Sequence, residues 1–249
     1  MDDSQLTQTP IISLRSLGHR YDVEPVLHEI NLDIPQGDIF GFLGHNGSGK
    51  TTTIHALTTL ISPTEGSAAV CGFDVIDQSN EVQRRIGYLP ENVRLYDDLT
   101  AAENIEFFAA LSGVEDVRGA TARTLEFLEC TELANRRIGT FSKGMRQRIG
   151  IAQAIVHEPR VLFLDEPTSG LDPMGVRQLR ETIVRLNNDL DMTIFMNTHL
   201  LSEVSRVCKT IGVLNHGRLI YHDSLENTIR RFPDEASLED IYVQLGIDR

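Results

Sequence analysis

Gly44-His45-Asn46-Gly47-Ser48-Gly49-Lys50-Thr51 fits the pattern G-x-x-x-x-G-K-[ST], and its reading decides the fold. An apolar, strand-like run from Ile39 to Leu43 precedes it. A helical stretch from about Lys50 to Leu60 follows and stops before Pro63. The glycines let the backbone curl so that successive N–H groups face inward as an anion nest. A helix opening at Lys50 adds about half a positive charge at its N-terminus. Lys50 is then expected to reach nucleotide β- and γ-phosphates, with the Thr51 hydroxyl on Mg²⁺. Gly44, His45, Asn46, Gly47, Ser48, Gly49, Lys50, Thr51 and Thr52 are the predicted phosphate cradle. A chance glycine-rich turn of this pattern has odds on the order of a per cent in a chain this long, and the flanking strand and helix lower them.

A phosphate loop needs an acidic group for its metal. Val161-Leu-Phe-Leu164 reads as a buried strand that delivers Asp165 and Glu166 at its C-terminal edge, where open α/β sheets bind ligands. Asp165 is expected to hold Mg²⁺, directly or through water, and Glu166 to polarise the attacking water as general base. Such a pair after a strand is usually a loop start; the Gly44 loop reverses those odds.

Four weaker signals gain meaning together. Ser142 caps a helix that runs to His157, so Ser142 and the amides near Gly144 form a second anion-binding helix N-terminus, though alone this is an ordinary cap. Ser169-Gly170-Leu171-Asp172-Pro173 is a tight turn. His199 follows the strand Thr193 to Asn197, where an imidazole can meet a γ-phosphate. Tyr21 precedes the strand Val26 to Ile34 and can stack on adenine.

Around these motifs, the start reads as β: Ile11 to Leu17, Val26 to Ile34, then a turn at Pro35–Asp38. Short strands surround Ala68–Val70 and Ile86–Tyr88. From Glu91 to His157 the pattern is helical, with a capping box at Thr100–Glu103 opening a helix towards Leu111, and another helix from Thr121 to Leu128. Strand and helix then alternate: helices at Gly175–Asn188 and Leu200–Val207, a hairpin turn at Asn215–Arg218, and a short final helix capped at Ser237. The fold class is therefore α/β: a P-loop NTPase (RecA-like) core with an N-terminal antiparallel β subdomain and an inserted helical subdomain. The expected boundaries are 11–225 for the nucleotide-binding domain, about 91–157 for the helical insert and 226–249 for a short helical tail.

The 249 residues carry 36 acidic against 23 basic side chains, a formal charge of −13. A chain that repels phosphate backbones overall is a poor general nucleic-acid binder. Cys71, Cys130 and Cys208 show no metal spacing and are an odd number for a disulfide framework, which points to reduced thiols in a cytosol. No apolar run reaches eighteen residues and the first ten form no secretory signal, so a membrane role must come through a partner.

Tyr21, Gly44–Thr51, Gly87-Tyr-Leu-Pro-Glu91, Phe141-Ser-Lys-Gly-Met-Arg-Gln-Arg148, Val161–Glu166, Ser169–Asp172 and His199, taken in order, closely resemble the nucleotide-binding subunit of ATP-binding cassette (ABC) transporters. The resemblance runs from about Ile11 to Tyr221. It implies two such domains closing head to tail around two ATP molecules, with Lys50 facing Ser142 and Gly144 of a second nucleotide-binding subunit, a homodimer being expected. Asp172 carries contacts across that interface, and Glu91 is the hinge that meets a transmembrane permease subunit. It also implies ATP and Mg²⁺ as cofactors and a place at the cytoplasmic face of the cell membrane, peripheral through the permease.

Two departures stand out. The usual Leu-Ser-Gly-Gly-Gln is Phe141-Ser-Lys-Gly-Met145, which keeps Ser142 and Gly144. The usual hinge Gln is Glu91, a carboxylate that either binds Mg²⁺ or only relays motion. Both resemble the branch serving exporter-type (ABC-2) permeases, and so does the tail Leu238–Leu245. Short stretches, Tyr88–Asn92 and Ser142–Arg148, are also similar to the ATPase of the copper-related system that matures nitrous oxide reductase.

The competing class is a soluble ABC-type ATPase of DNA maintenance or translation. About 90 residues separate Lys50 from Ser142, without sustained heptads, and there is one cassette, not two. A GTPase or small-molecule kinase leaves the Ser142–Gly144 motif unexplained, and no Asn-Lys-x-Asp occurs. A module that only senses ATP would not need Glu166 and His199.

Overall fold

The computed structural model describes residues 9–198, 200–233 and 237–245. Strands β1 (Ile12–Tyr21), β2 (Glu24–Ile34) and β3 (Ile39–Leu43) lead into helix α1 (Lys50–Leu57). Then come β4 (Glu65–Val70), β5 (Phe73–Asp74), α2 (Ser79–Gln83) and β6 (Ile86–Leu89). Helices α3 (Ala101–Leu111), α4 (Val117–Phe127) and α5 (Lys143–Ile155) separate β6 from β7 (Val161–Asp165). The chain continues through α6 (Pro173–Leu190), β8 (Thr193–Thr198), α7 (Leu201–Val207), β9 (Thr210–Asn215), β10 (Arg218–Ser224), α8 (Leu225–Arg231) and α9 (Leu238–Gln244).

Among the described residues, the strands form two sheets. One is four-stranded and antiparallel where paired, ordered β2-β1-β4-β5; the other is six-stranded, ordered β10-β9-β3-β8-β7-β6. In the second, β9, β3, β8, β7 and β6 run parallel, and β10 closes one edge antiparallel to β9. This is the α/β architecture with an antiparallel β subdomain that the sequence predicts.

The parallel strands are buried on both faces, and alternation assigns each residue to one of them. Phe40, Phe42, Val161, Phe163 and Phe195 face the antiparallel sheet and α1. Phe195 sits 5.1–5.6 Å from Phe40, Phe42 and Phe163, centroid to centroid. Ile39, Leu43, Leu162, Leu164, Ile194 and Met196 face the helices α3 to α7 and α9.

Local chemistry moves several boundaries. Helix α1 ends at Leu57, not Leu60, because the Thr58 hydroxyl donates back to Ile54 O (2.8 Å) and Thr59 turns left-handed at φ 64°. Helix α4 starts at Val117, ahead of the expected Thr121, because Asp116 caps it by accepting from Gly119 N (3.0 Å). The short helices α2 and α8 and the two-residue β5 carry too few residues to show a period.

Candidate functional site

The site is set by the C-terminal ends of neighbouring parallel strands. The register pairs Leu43 of β3 with Thr198 of β8, and Asp165 of β7 with Asn197 of β8. The loop after β3, the acidic pair after β7 and the end of β8 thus meet at one edge, the position at which open α/β sheets hold ligands.

Gly49 caps α1 at φ 107°, a conformation that residues with side chains rarely adopt, and a Cβ there would also meet Leu27 Cδ2 at 2.6 Å. No side chain caps α1 and its first turn carries no acidic residue, so its dipole and leading amides are left for an anion. Lys50 is buried at 5% exposure; its Nζ donates to Gly44 O (2.7 Å) and His45 O (3.1 Å). Glu166 lies 3.9 Å from the same ammonium. Burial holds the Lys50 ammonium below the ordinary lysine range, while Glu166 and Asp165 act in the opposite sense.

The Thr51 hydroxyl donates to Asp165 Oδ1 at 3.1 Å. Asn197 Nδ2 donates to the same oxygen at 2.6 Å, and Asn197 Oδ1 accepts from Glu166 N at 2.6 Å. Glu166 adopts φ 45°, left-handed for a residue with a side chain. The Tyr88 hydroxyl lies against Asp165, and burial together with that carboxylate drives its pKa far up, keeping it a neutral donor.

The loop is braced from behind by the β9–β10 hairpin. Gly217 N donates to Ser48 O (2.9 Å), and His45 Nε2 sits 3.2 Å from Asn215 Oδ1. Ser48 is fully buried, with its hydroxyl against Gly44.

The other predicted residues occupy distinct places. Ser142 caps α5 by accepting from Met145 N (3.3 Å), and a Cβ built on Gly144 would make ordinary contact with Leu171 Cδ2 at 3.9 Å. Asp172 caps α6 by accepting from Gly175 N (2.7 Å). Exposed Glu91 accepts from Ser169 Oγ (3.1 Å), which ties the segment after β6 to the turn after the acidic pair. Tyr21 is 49% exposed at the end of β1, edge-on to His19 with centroids 4.6 Å apart. Asn46, Gly47 and Thr52 lie in the loop and first turn as expected. His199 lies outside the described residues.

Sequence reasoning gave no role to Asn197, Tyr88 or Gln147. Gln147 Nε2 donates to Pro167 O (2.8 Å), joining α5 to the segment after Glu166. The available signal for Asn197 was an amide inside an otherwise apolar strand, Ile194-Phe195-Met196.

These groups fit a Mg²⁺–nucleotide. The uncapped, acid-free helix start and the Lys50 ammonium suit phosphate, and the Thr51 and Asp165 oxygens are the hard donors Mg²⁺ takes alongside phosphate and water.

Comparison with known proteins agrees with this geometry. Residues 27–169 match the family model described as ABC transporter. The bacitracin transport ATP-binding protein BcrA of Bacillus licheniformis is 39% identical over 210 residues, covering 84% of this chain and 68% of that one. The ABC transporter ATP-binding protein NatA of Bacillus subtilis (strain 168) is 35% identical over 224 residues, covering 87% and 91%. Among solved structures, an ATP binding subunit of an ABC transporter superposes with a TM-score of 0.83 at 28% identity, covering 95% of this chain and 99% of that one. The ATP-binding cassette MJ0796, as a dimeric post-hydrolysis state bound to ADP and Pi, gives a TM-score of 0.77 at 25% identity, covering 86% and 98%. With its phosphate loop, acidic pair and second helix N-terminus on this fold, the chain belongs to the ABC transporter family as an ATP-binding, ATP-hydrolysing subunit.

Proposed function

We propose that this subunit works in pairs. Two copies close head to tail around two Mg²⁺–ATP and drive a separate transmembrane permease, an exporter, from the cytoplasmic face of the membrane. The observation that carries this reading is the split site. Lys50, Thr51, Asp165 and Glu166 converge on one strand edge, whereas Ser142 and Gly144 form the N-terminus of α5, where Ser142 is exposed. Three similar proteins support it: the MJ0796 cassette is dimeric with ADP and Pi, and two relatives are named for bacitracin transport and linearmycin resistance. Among the described residues no helix is long and apolar enough to cross a membrane, in keeping with a permease on another chain.

In this reading the amides of Gly44–Thr52 and the Lys50 ammonium bind the β- and γ-phosphates. Thr51 and Asp165 hold Mg²⁺, whose chemistry is to neutralise charge on the phosphates. Glu166 takes the proton of the attacking water, and His199 orients the γ-phosphate. Tyr21 stacks on the base, Asp172 lies at the subunit interface, and Glu91, bonded to Ser169, is the hinge that meets the permease and either binds Mg²⁺ or only relays motion. The same boundaries serve as subdomains: the helical insert at about 91–157 and the tail from 226.

The test is the Glu166→Gln variant. Turnover is expected to fall roughly 10²–10⁴-fold, the scale of losing a general base, while ATP with Mg²⁺ converts the monomer into a stable dimer on size exclusion. A variant that hydrolyses normally, or one that binds ATP and stays monomeric, contradicts the proposal.

A further inference from the structure

Asn197 is fully buried and makes two 2.6 Å hydrogen bonds, one to each half of the acidic pair. Its Nδ2 faces Asp165 Oδ1, which can only accept while ionised, and its Oδ1 faces Glu166 N, which can only donate. The partners therefore fix which way the amide points, and no flip satisfies both. Asn197 O accepts from Glu166 N as well, at 3.2 Å.

Asn197 divides its amide between two tasks, one at each member of the acidic pair. The first concerns Asp165. Asn197 and Thr51 both donate to its Oδ1, which restricts rotation of the carboxylate. The second concerns Glu166, whose backbone sits at φ 45° directly after the strand, a conformation that needs the surroundings to hold it. The forked bond from Glu166 N to the side chain and backbone of Asn197 does so. Strand register places Asn197 opposite Asp165 on β8, so the tie is made by a neighbouring strand and not by the loop itself.

We infer that Asn197 is a positioning residue of the hydrolytic site: one side-chain amide locks the metal carboxylate through its NH₂ and the backbone of the general base through its oxygen. The inference rests on the roles given above to Asp165 and Glu166. Its consequence is specific. Loosening Asn197 should weaken the metal's hold and the base's aim, yet spare the phosphate loop, whose contacts run through Lys50, Ser48 and the hairpin.

The experiment compares Asn197→Ala, Asn197→Ser and Asp165→Asn with the parent chain. Three quantities are read: ATPase turnover, the Mg²⁺ concentration at half-maximal rate, and the affinity for a fluorescent ATP analogue in EDTA. Asn197→Ala is expected to lower turnover and raise the Mg²⁺ requirement, each by about 10–100-fold, the usual scale for a partner that orients a metal ligand. Its metal-free nucleotide affinity should stay within about twofold, since hydrogen bonds to the loop are untouched. Asn197→Ser keeps a hydroxyl that makes one of the two bonds, and should recover part of both losses; it is also the variant read if the alanine variant does not fold. A Mg²⁺ requirement unchanged within threefold, or metal-free affinity falling in step with turnover, overturns the inference. If Asp165→Asn also leaves the Mg²⁺ requirement unchanged, the assignment of Asp165 itself fails. If Asp165→Asn shifts it and neither Asn197 variant does, only the role of Asn197 fails.

Discussion

Gly217→Ala probes how the phosphate loop is held in shape. Gly217 stands at the tip of the β9–β10 hairpin with φ 73°. Its N–H donates to Ser48 O (2.9 Å) inside the loop, and its carbonyl accepts from His28 N (2.8 Å) on β2. A Cβ at this position would overlap Val26 O and come within 2.8 Å of His28 Cδ2. The left-handed conformation alone costs a non-glycine residue about 1–2 kcal/mol. Pushing the tip away from Val26 also breaks the bond to Ser48, worth about 0.5–1.5 kcal/mol net. The sum is about 1.5–3.5 kcal/mol, or a fall in melting temperature of roughly 3–14 °C at 2–4 °C per kcal/mol for a chain of this size.

Gly72→Ala is the matched control, because Gly72 has φ 82° but nothing within 4 Å of its Cβ position. It should show the conformational cost alone and leave the KM for ATP unchanged. Gly217→Ala should show a larger melting shift together with a raised KM. Thermal melts and steady-state ATPase assays on both variants read these quantities. Equal melting shifts with an unchanged KM in both would refute the claim that the hairpin braces the loop.

Two further predictions concern binding and pH. Lys50→Ala removes the buried ammonium of the loop and should abolish tight ATP binding, measured by fluorescence titration; a retained dissociation constant contradicts the loop assignment. His157, whose Nε2 meets Ile86 O at 2.9 Å, is held by burial below the ordinary histidine range. The unfolded chain therefore takes up its proton first as pH falls, so stability is full above about pH 6.5 and declines below it. His157→Gln should flatten that acid-side decline in melting temperature, and an unchanged slope would assign the decline to other groups.

What the sequence made legible was what neighbouring residues decide. The phosphate loop, the strand that delivers Asp165 and Glu166, and the caps at Thr100, Ser142 and Ser237 depend on a few adjacent residues. The links between these pieces were not legible, because they depend on strand order. Asn197 reaches Asp165 only because β8 lies beside β7 in parallel register, and Gly217 reaches Ser48 only because β9 lies beside β3. The Ser169–Glu91 bond likewise spans distant segments. Glu166, left-handed with a side chain, shows the opposite limit: its bonds to Asn197 on the neighbouring strand hold a conformation that local preference would not select.

The central claim, that each hydrolytic site is shared between two chains, is tested most directly by mixing two inactive variants. Lys50→Ala disables a chain's own phosphate loop, and Ser142→Arg blocks its own α5 N-terminus. Each should be inactive alone. In an equimolar mixture, half of the dimers pair the two variants and contain one intact site, so activity should return to about a quarter of the parent value by two-fold symmetry. A mixture as inactive as its components, or a Ser142→Arg chain that hydrolyses ATP by itself, would contradict the shared site.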